Sequence, residues 1–230
     1  FIYILLTSLT FLVVGCQNES EEIRLINQAE RLFDAYPDSV ITTLDSIPLP
    51  EEMSPRLIAR WCMLYARAAD KIEDEMPYTN QLEIALKYYQ KKKMREEEAE
   101  IGLYLGRSYV EDKEYEKAMR TYSDALKVAL AIKDYNRAGY ICSYMGDLYE
   151  VDLRYILAAE KYKESGKYFH LANNTTSYVR AFVNEGRSYM SVDSNYLALA
   201  SLKQAEVIMD SLNVENVKTY VYNGLGNIYN

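Results

Sequence analysis

Arginine supplies most of the chemistry that this chain could direct at a ligand. Arg67, Arg107 and Arg187 share one register of 40 residues, whose other places are taken by Asp147 and Asn227. A second row in step with the first holds Arg60, Tyr140, Arg180 and Tyr220. A guanidinium fork pairs with a carboxylate through two parallel hydrogen bonds, and tyrosine gives contact area at a low entropic cost. The rows could therefore hold an acidic segment of another protein, or close onto glutamates of their own chain. Bond-making chemistry has far less to work with. His170 is the single histidine, so no second imidazole completes a metal site, and no serine or cysteine has an evident base. There is no phosphate loop and no dinucleotide fingerprint. No metal, no cofactor and no catalytic residue is expected.

The elements that carry these rows are repeats. Gly-x-x-Tyr returns at Gly106 and Tyr109, Gly146 and Tyr149, Gly186 and Tyr189, and Gly226 and Tyr229, a spacing of 40 each time. Each complete copy adds a second mark, Ala118, Ala158 and Ala198, followed by Ala125, Ser165 and Ala205. One period upstream, Ala66 stands at the glycine place and Ala85 at the later alanine. Self-similarity at a period of about 20–50 residues marks a solenoid. A glycine inside a helix costs about 1 kcal/mol against alanine, so its return needs a packing reason. Close helix crossings require small side chains, and the spacing predicts that Gly106 meets Ala118 and Ala125 on a second helix. Tyr122 and Tyr162, with Leu202 in the next copy, give that second helix its own apolar stripe.

This pattern resembles the tetratricopeptide repeat. Gly106, Tyr109, Ala118, Tyr122 and Ala125 fit the small, aromatic, alanine, aromatic, alanine series of that family, and the likeness covers roughly residues 55–230. The usual unit has about 34 residues, so these copies are expected to use longer helices. The copy that starts near Ala59 departs most, with Ala69 where an aromatic belongs and Tyr78 where alanine belongs. The resemblance implies an all-α, right-handed superhelical solenoid of antiparallel helix pairs. It also implies that the rows of Arg67, Arg107, Asp147, Arg187, Asn227 and of Arg60, Tyr140, Arg180, Tyr220 line a concave groove. The lysine-and-asparagine carboxylate clamp of some chaperone-binding relatives is not reproduced. Cys62 and Cys142 fall at the same place two periods apart; with helices packed about 8–10 Å apart they lie beyond disulfide reach and read as small buried hydrophobes.

A net charge of −8 argues against nucleic acid as a partner of this segment. At the start, residues 1–15 are almost wholly apolar, too few for a helix of about 20 residues to span a bilayer. Their length suits a signal-peptide core whose basic start is missing. Val13-Val14-Gly15-Cys16 resembles a bacterial lipobox and makes Cys16 the expected lipidated residue. Residues 16–22 then form the lipidated cysteine and a short acidic tether, similar to surface-display signals of Bacteroidetes-like lipoproteins. A helical hairpin is expected over 23–50, capping the solenoid, with Pro37 opening its second helix and Pro48 to Pro50 ending it. Ser54 and Pro55 restart the chain as N-cap and first helical residue. Helices are predicted over 55–71, 78–92, 95–110, 115–132, 136–150, 154–170, 176–190, 195–211 and 216–229. Tyr222, Leu225 and Tyr229 then lack a covering helix, so the last repeat reads as truncated.

The expected function is a non-enzymatic protein-interaction scaffold, lipid-anchored in the bacterial cell envelope at the outer membrane, on its periplasmic face or at the cell surface. A protein or peptide partner in the groove and a membrane reached through lipid on Cys16 are the expected associations. The alternative is the sensing ectodomain of a longer signal-transduction or transcription-regulating protein. Glycan capture fits less well, because the unbroken register leaves no room for long loop insertions.

Overall fold

The computed structural model describes residues 20–47 and 52–229. The apolar run, Cys16 and Pro48 to Pro50 lie outside the described residues. Eleven helices follow one another among those described: α1 (Glu21–Leu32), α2 (Pro37–Asp45), α3 (Pro55–Ile72), α4 (Thr79–Lys92), α5 (Arg95–Glu111), α6 (Tyr115–Ala131), α7 (Tyr135–Val151), α8 (Tyr155–Leu171), α9 (Thr175–Met190), α10 (Asn195–Leu212) and α11 (Lys218–Tyr229), the last preceded by a 3₁₀ turn at Glu215–Val217. Each packs against its chain neighbours, and the alternate pairs α3 with α5, α5 with α7 and α9 with α11 also touch. The result is the all-α tetratricopeptide-type solenoid, with α1 and α2 as the leading hairpin. Helix α1 starts two residues before Ile23, taking Glu21 and Glu22 out of the tether and into its first turn. Acidic side chains suit that place because the helix N-terminus carries partial positive charge.

The metre of the chain is half the repeat. Residues Glu73, Lys93, Lys113, Lys133, Leu153, Asn173, Asp193 and Asn213 all have φ between 54° and 61°, one every 20 residues. Each closes its helix, and the next residue donates its N–H back across the last turn, as in Glu114 to the Tyr109 carbonyl at 2.8 Å and Asp134 to that of Ala129 at 2.9 Å. These are Schellman closures, which satisfy carbonyls that a helix end otherwise leaves open. From α5 to α8 every helix has 17 residues. The 40-residue copy is thus two equal helix-and-turn units, which is how it exceeds the family's usual length.

Packing at the glycines differs from the expected contact. A Cβ on Gly106 would fall 2.1 Å from Cε1 of Tyr122, and one on Gly146 would fall 2.7 Å from Cε1 of Tyr162. In the next copy Gly186 faces Leu202 in the same way, at 2.8 Å. The glycine therefore makes room first for the large residue of the second helix, and at Gly186 the Ala198 carbonyl oxygen follows at 3.2 Å. Gly102 is the one that meets Ala125, at 2.9 Å from its Cβ. Tyr122, Tyr162 and Leu202 are almost fully buried as a result, each worth about 2 kcal/mol of transfer free energy. The first copy has its own solution. Helix α4 lacks the opening turn of its counterparts and has 14 residues. Tyr78, at the alanine place, is an exposed residue before the helix, while Met76 plugs the core and its N–H reaches both carboxylate oxygens of Glu111 at 3.3 and 3.1 Å.

Candidate functional site

The first helices of successive pairs, α3, α5, α7, α9 and α11, carry the two rows. The rows are partly covered on α3 and α5 and exposed from α7 onward. Arg60 donates to Glu30 Oε1 at 2.7 Å and to Asn27 Oδ1 at 2.8 Å, tying α3 to the leading hairpin. Arg67 grips Glu100 with both arms of its fork, Nε to Oε1 and Nη2 to Oε2, each at 2.7 Å. Arg107 is ion-paired to Asp70, and its guanidinium lies over the Tyr144 ring, 5.6 Å from the centroid. These three arginines are closed onto acids of their own chain.

The other members of the rows are not closed. Asp147 stands in the groove and accepts a hydrogen bond from the Tyr162 hydroxyl at 2.6 Å. Crowding by the groove walls pushes its carboxyl above the usual range, against the opposing pull of Tyr162 and of Arg187. Arg180 and Arg187 are exposed, and among the described residues neither has an acid within 4 Å. Arg180 lies over the Tyr220 ring at 5.2 Å. Tyr140 rests edge-on against Phe169, with centroids 4.9 Å apart, and leaves its hydroxyl near Ser177 at 3.4 Å. Tyr220 and Asn227 are exposed at the far end.

Glu100 completes the second row. It falls in the same register as Arg60, Tyr140, Arg180 and Tyr220, so the row itself could have found it. Arg137 adds a second guanidinium to Glu100 at 3.2 Å while pairing with Asp134, and Tyr104 donates to it at 3.3 Å. Burial alone would raise the Glu100 pKa; the bonds from Arg67 and the charges of Arg67 and Arg137 outweigh it and hold the carboxyl below its ordinary value. The pair also divides the groove. Arg67 borders an N-terminal cavity of about 530 Å³ and Glu100 a central one of about 710 Å³, which Tyr140, Tyr144 and Arg180 also line. A third, of about 230 Å³, adjoins the central cavity at Arg107 and Tyr144.

Among the described residues no three of histidine, cysteine, aspartate and glutamate converge on a metal position. His170 lies against the Tyr178 ring at 4.9 Å, at the end of α8. Cys62 and Cys142 are buried and unbonded, and burial raises both thiols, that of Cys142 to about 12.

No protein-family model matches the chain, and no curated protein matches it in sequence. Solved structures do match. The apo form of RapI superposes with a TM-score of 0.67 at 13% identity, over 84% of this chain and 72% of its own. A kinesin light chain of Podosopora anserina with nearly identical TPR-like repeats gives 0.58 at 13% identity, over 83% and 96%. Bacillus thuringiensis PlcR, in complex with the peptide PapR7 and DNA, gives 0.55 at 14% identity, over 90% and 77%. These likenesses are of fold: the chain is built as tetratricopeptide-like repeats.

Proposed function

We propose that this chain is a non-enzymatic interaction scaffold that holds a segment of a partner protein, extended or helical, in its inner groove. One observation carries the reading: Arg180 lies over the exposed Tyr220 ring and lines the central cavity with Tyr140, and neither it nor Arg187 has an acid within 4 Å among the described residues. A natural surface that leaves two forks unpaired beside aromatic platforms is complementary to carboxylates of another chain. The peptide in the PlcR complex supports the reading from a fold of the same kind. Changing Arg180 and Arg187 together to glutamate tests it. Immobilised wild-type protein should retain a partner from envelope extracts of its host that the variant loses, and equal capture by both would overturn it.

The scaffold is anchored, on this reading, by acyl chains on Cys16 in the bacterial cell envelope, at the outer membrane, its periplasmic face or the cell surface. Two or more acyl chains anchor firmly, at about 0.8 kcal/mol per buried CH₂. Among the described residues no helix is long and apolar enough to cross a membrane. Replacing Cys16 with alanine should move the protein from the membrane to the soluble fraction; retention in the membrane would refute the anchor.

A second reading is the sensing ectodomain of a longer signal-transduction or transcription-regulating protein. The PlcR structure favours it, since that repeat fold is seen with a peptide and with DNA together. The complete coding sequence decides: a membrane span followed by an output segment supports the sensor, and a capping helix followed by a stop supports the free-standing scaffold.

A further inference from the structure

The groove is charged in two senses, acidic beside one cavity and basic on the next first helix. Toward the C-terminal ends of α5 and α7, Glu111 and Asp147 border the 230 Å³ cavity, whose walls are otherwise Val110, Tyr122, Tyr144, Leu148, Val151 and the already paired Arg107. Neither carboxylate has a cation within 4 Å among the described residues. The charge of Arg107 reaches Glu111 and that of Arg187 reaches Asp147, yet partial desolvation at the cavity outweighs them, and both carboxyls, though exposed at its rim, sit above their ordinary pKa. One first helix further along, Arg180 and Arg187 lack acids. An apolar slot ending in carboxylates fits a long basic side chain, whose methylene stem packs while its head meets charge. A pair of free guanidinium forks fits an acidic one.

Building on the reading of the groove as a protein-binding surface, we infer that its occupant is bipolar. A lysine or arginine enters the slot between Tyr144 and Leu148 toward Glu111 and Asp147, and an aspartate or glutamate further along the same segment meets Arg180 and Arg187. The opposite order places like charges against each other at both ends, so the two subsites fix the direction in which the segment lies. The closed pairs Arg67–Glu100 and Arg107–Asp70 contribute no net charge to this choice.

Selection of a random displayed-peptide library on the purified protein tests the inference. Enriched peptides should carry one basic and one acidic residue at a fixed separation and in one order. Glu111→Gln with Asp147→Asn should weaken a synthetic copy of the best peptide about tenfold, and Arg180→Gln with Arg187→Gln likewise. The amides keep the bonds from Met76 and Tyr162, and thermal melts of both variants check that they remain folded. Peptides that are acidic or apolar throughout, and indifferent to the Glu111 and Asp147 changes, would overturn the bipolar occupant while leaving the groove reading intact. Absence of any enriched peptide would remove both.

Discussion

The ring of Tyr162 lies across Gly146, in the space where a Cβ on that glycine would come within 2.7 Å of ring carbon Cε1, and its hydroxyl reaches Asp147 at 2.6 Å. One tyrosine of a second helix thus crosses its glycine to the inner face and sets a carboxylate of the groove. The repeat mark and the candidate site are joined through that contact.

The same geometry predicts opposite outcomes for two glycines. Gly106→Ala drives a methyl into Tyr122, which is buried and has no room to turn, and should cost about 3 kcal/mol, the upper end of overpacking. Gly226 has nothing within 4 Å of the same position, so Gly226→Ala in this chain should be stabilising by up to about 1 kcal/mol through helix propensity. Urea melts of the two variants give both signs.

Helix ends offer a gain. Leu153 is held at φ 58° with its side chain exposed, a conformation that costs a non-glycine residue roughly 1–2 kcal/mol. Leu153→Gly should raise stability by about 1 kcal/mol, whereas Asn173→Gly, starting from a residue that tolerates the left-handed region, should gain much less. Thermal unfolding of the pair distinguishes relief of strain from a general effect of glycine.

Glu185 has an inverse pH signature. It is 5% exposed in a place where other copies have Leu105, Met145 and Leu225, and its Oε2 has no partner. Burial raises its pKa above 4.5, with the Lys163 charge and a Ser201 bond opposing. Its protonated form is favoured by folding, so its contribution falls as pH rises above 4.5 through the raised folded value. Glu185→Leu should therefore stabilise at neutral pH by about 1–3 kcal/mol and gain progressively less toward acid.

Glu100 works the other way. Its folded pKa is lowered, so its stabilisation is present above the unfolded value of 4.5 and disappears as pH falls through the folded one. Glu100→Gln strands Arg67, while Arg137 keeps Asp134, and should cost about 1.5–3 kcal/mol at neutral pH. That loss should shrink in acid, and a pH-independent loss would contradict the assignment.

Much of the fold was legible because its marks are side-chain sizes at a fixed spacing. Every predicted helix of the repeats forms within two residues of its expected ends. The nearest contact was not legible: the crossing lays the Tyr122 ring against Gly106, and spacing alone does not give the reach of that side chain. The 20-residue metre was illegible because lysine, asparagine, aspartate, glutamate and leucine occupy the left-handed positions where glycine would have marked them. At the site the rows were readable, but the closures were not. Arg67 and Glu100 lie 33 residues apart on adjacent first helices, and which arginine meets which acid depends on the stagger between those helices.

The inner groove as the place where a partner is held is most directly tested by photocrosslinking in the native host. A benzophenone amino acid at Tyr140, on the wall of the central cavity, is compared with one at Val207, exposed on α10 of the outer layer. A discrete protein adduct from position 140, lost when Arg180 and Arg187 become glutamate and absent from position 207, is the predicted result. An adduct at 207 with none at 140, or one at 140 that survives both charge reversals, would contradict it.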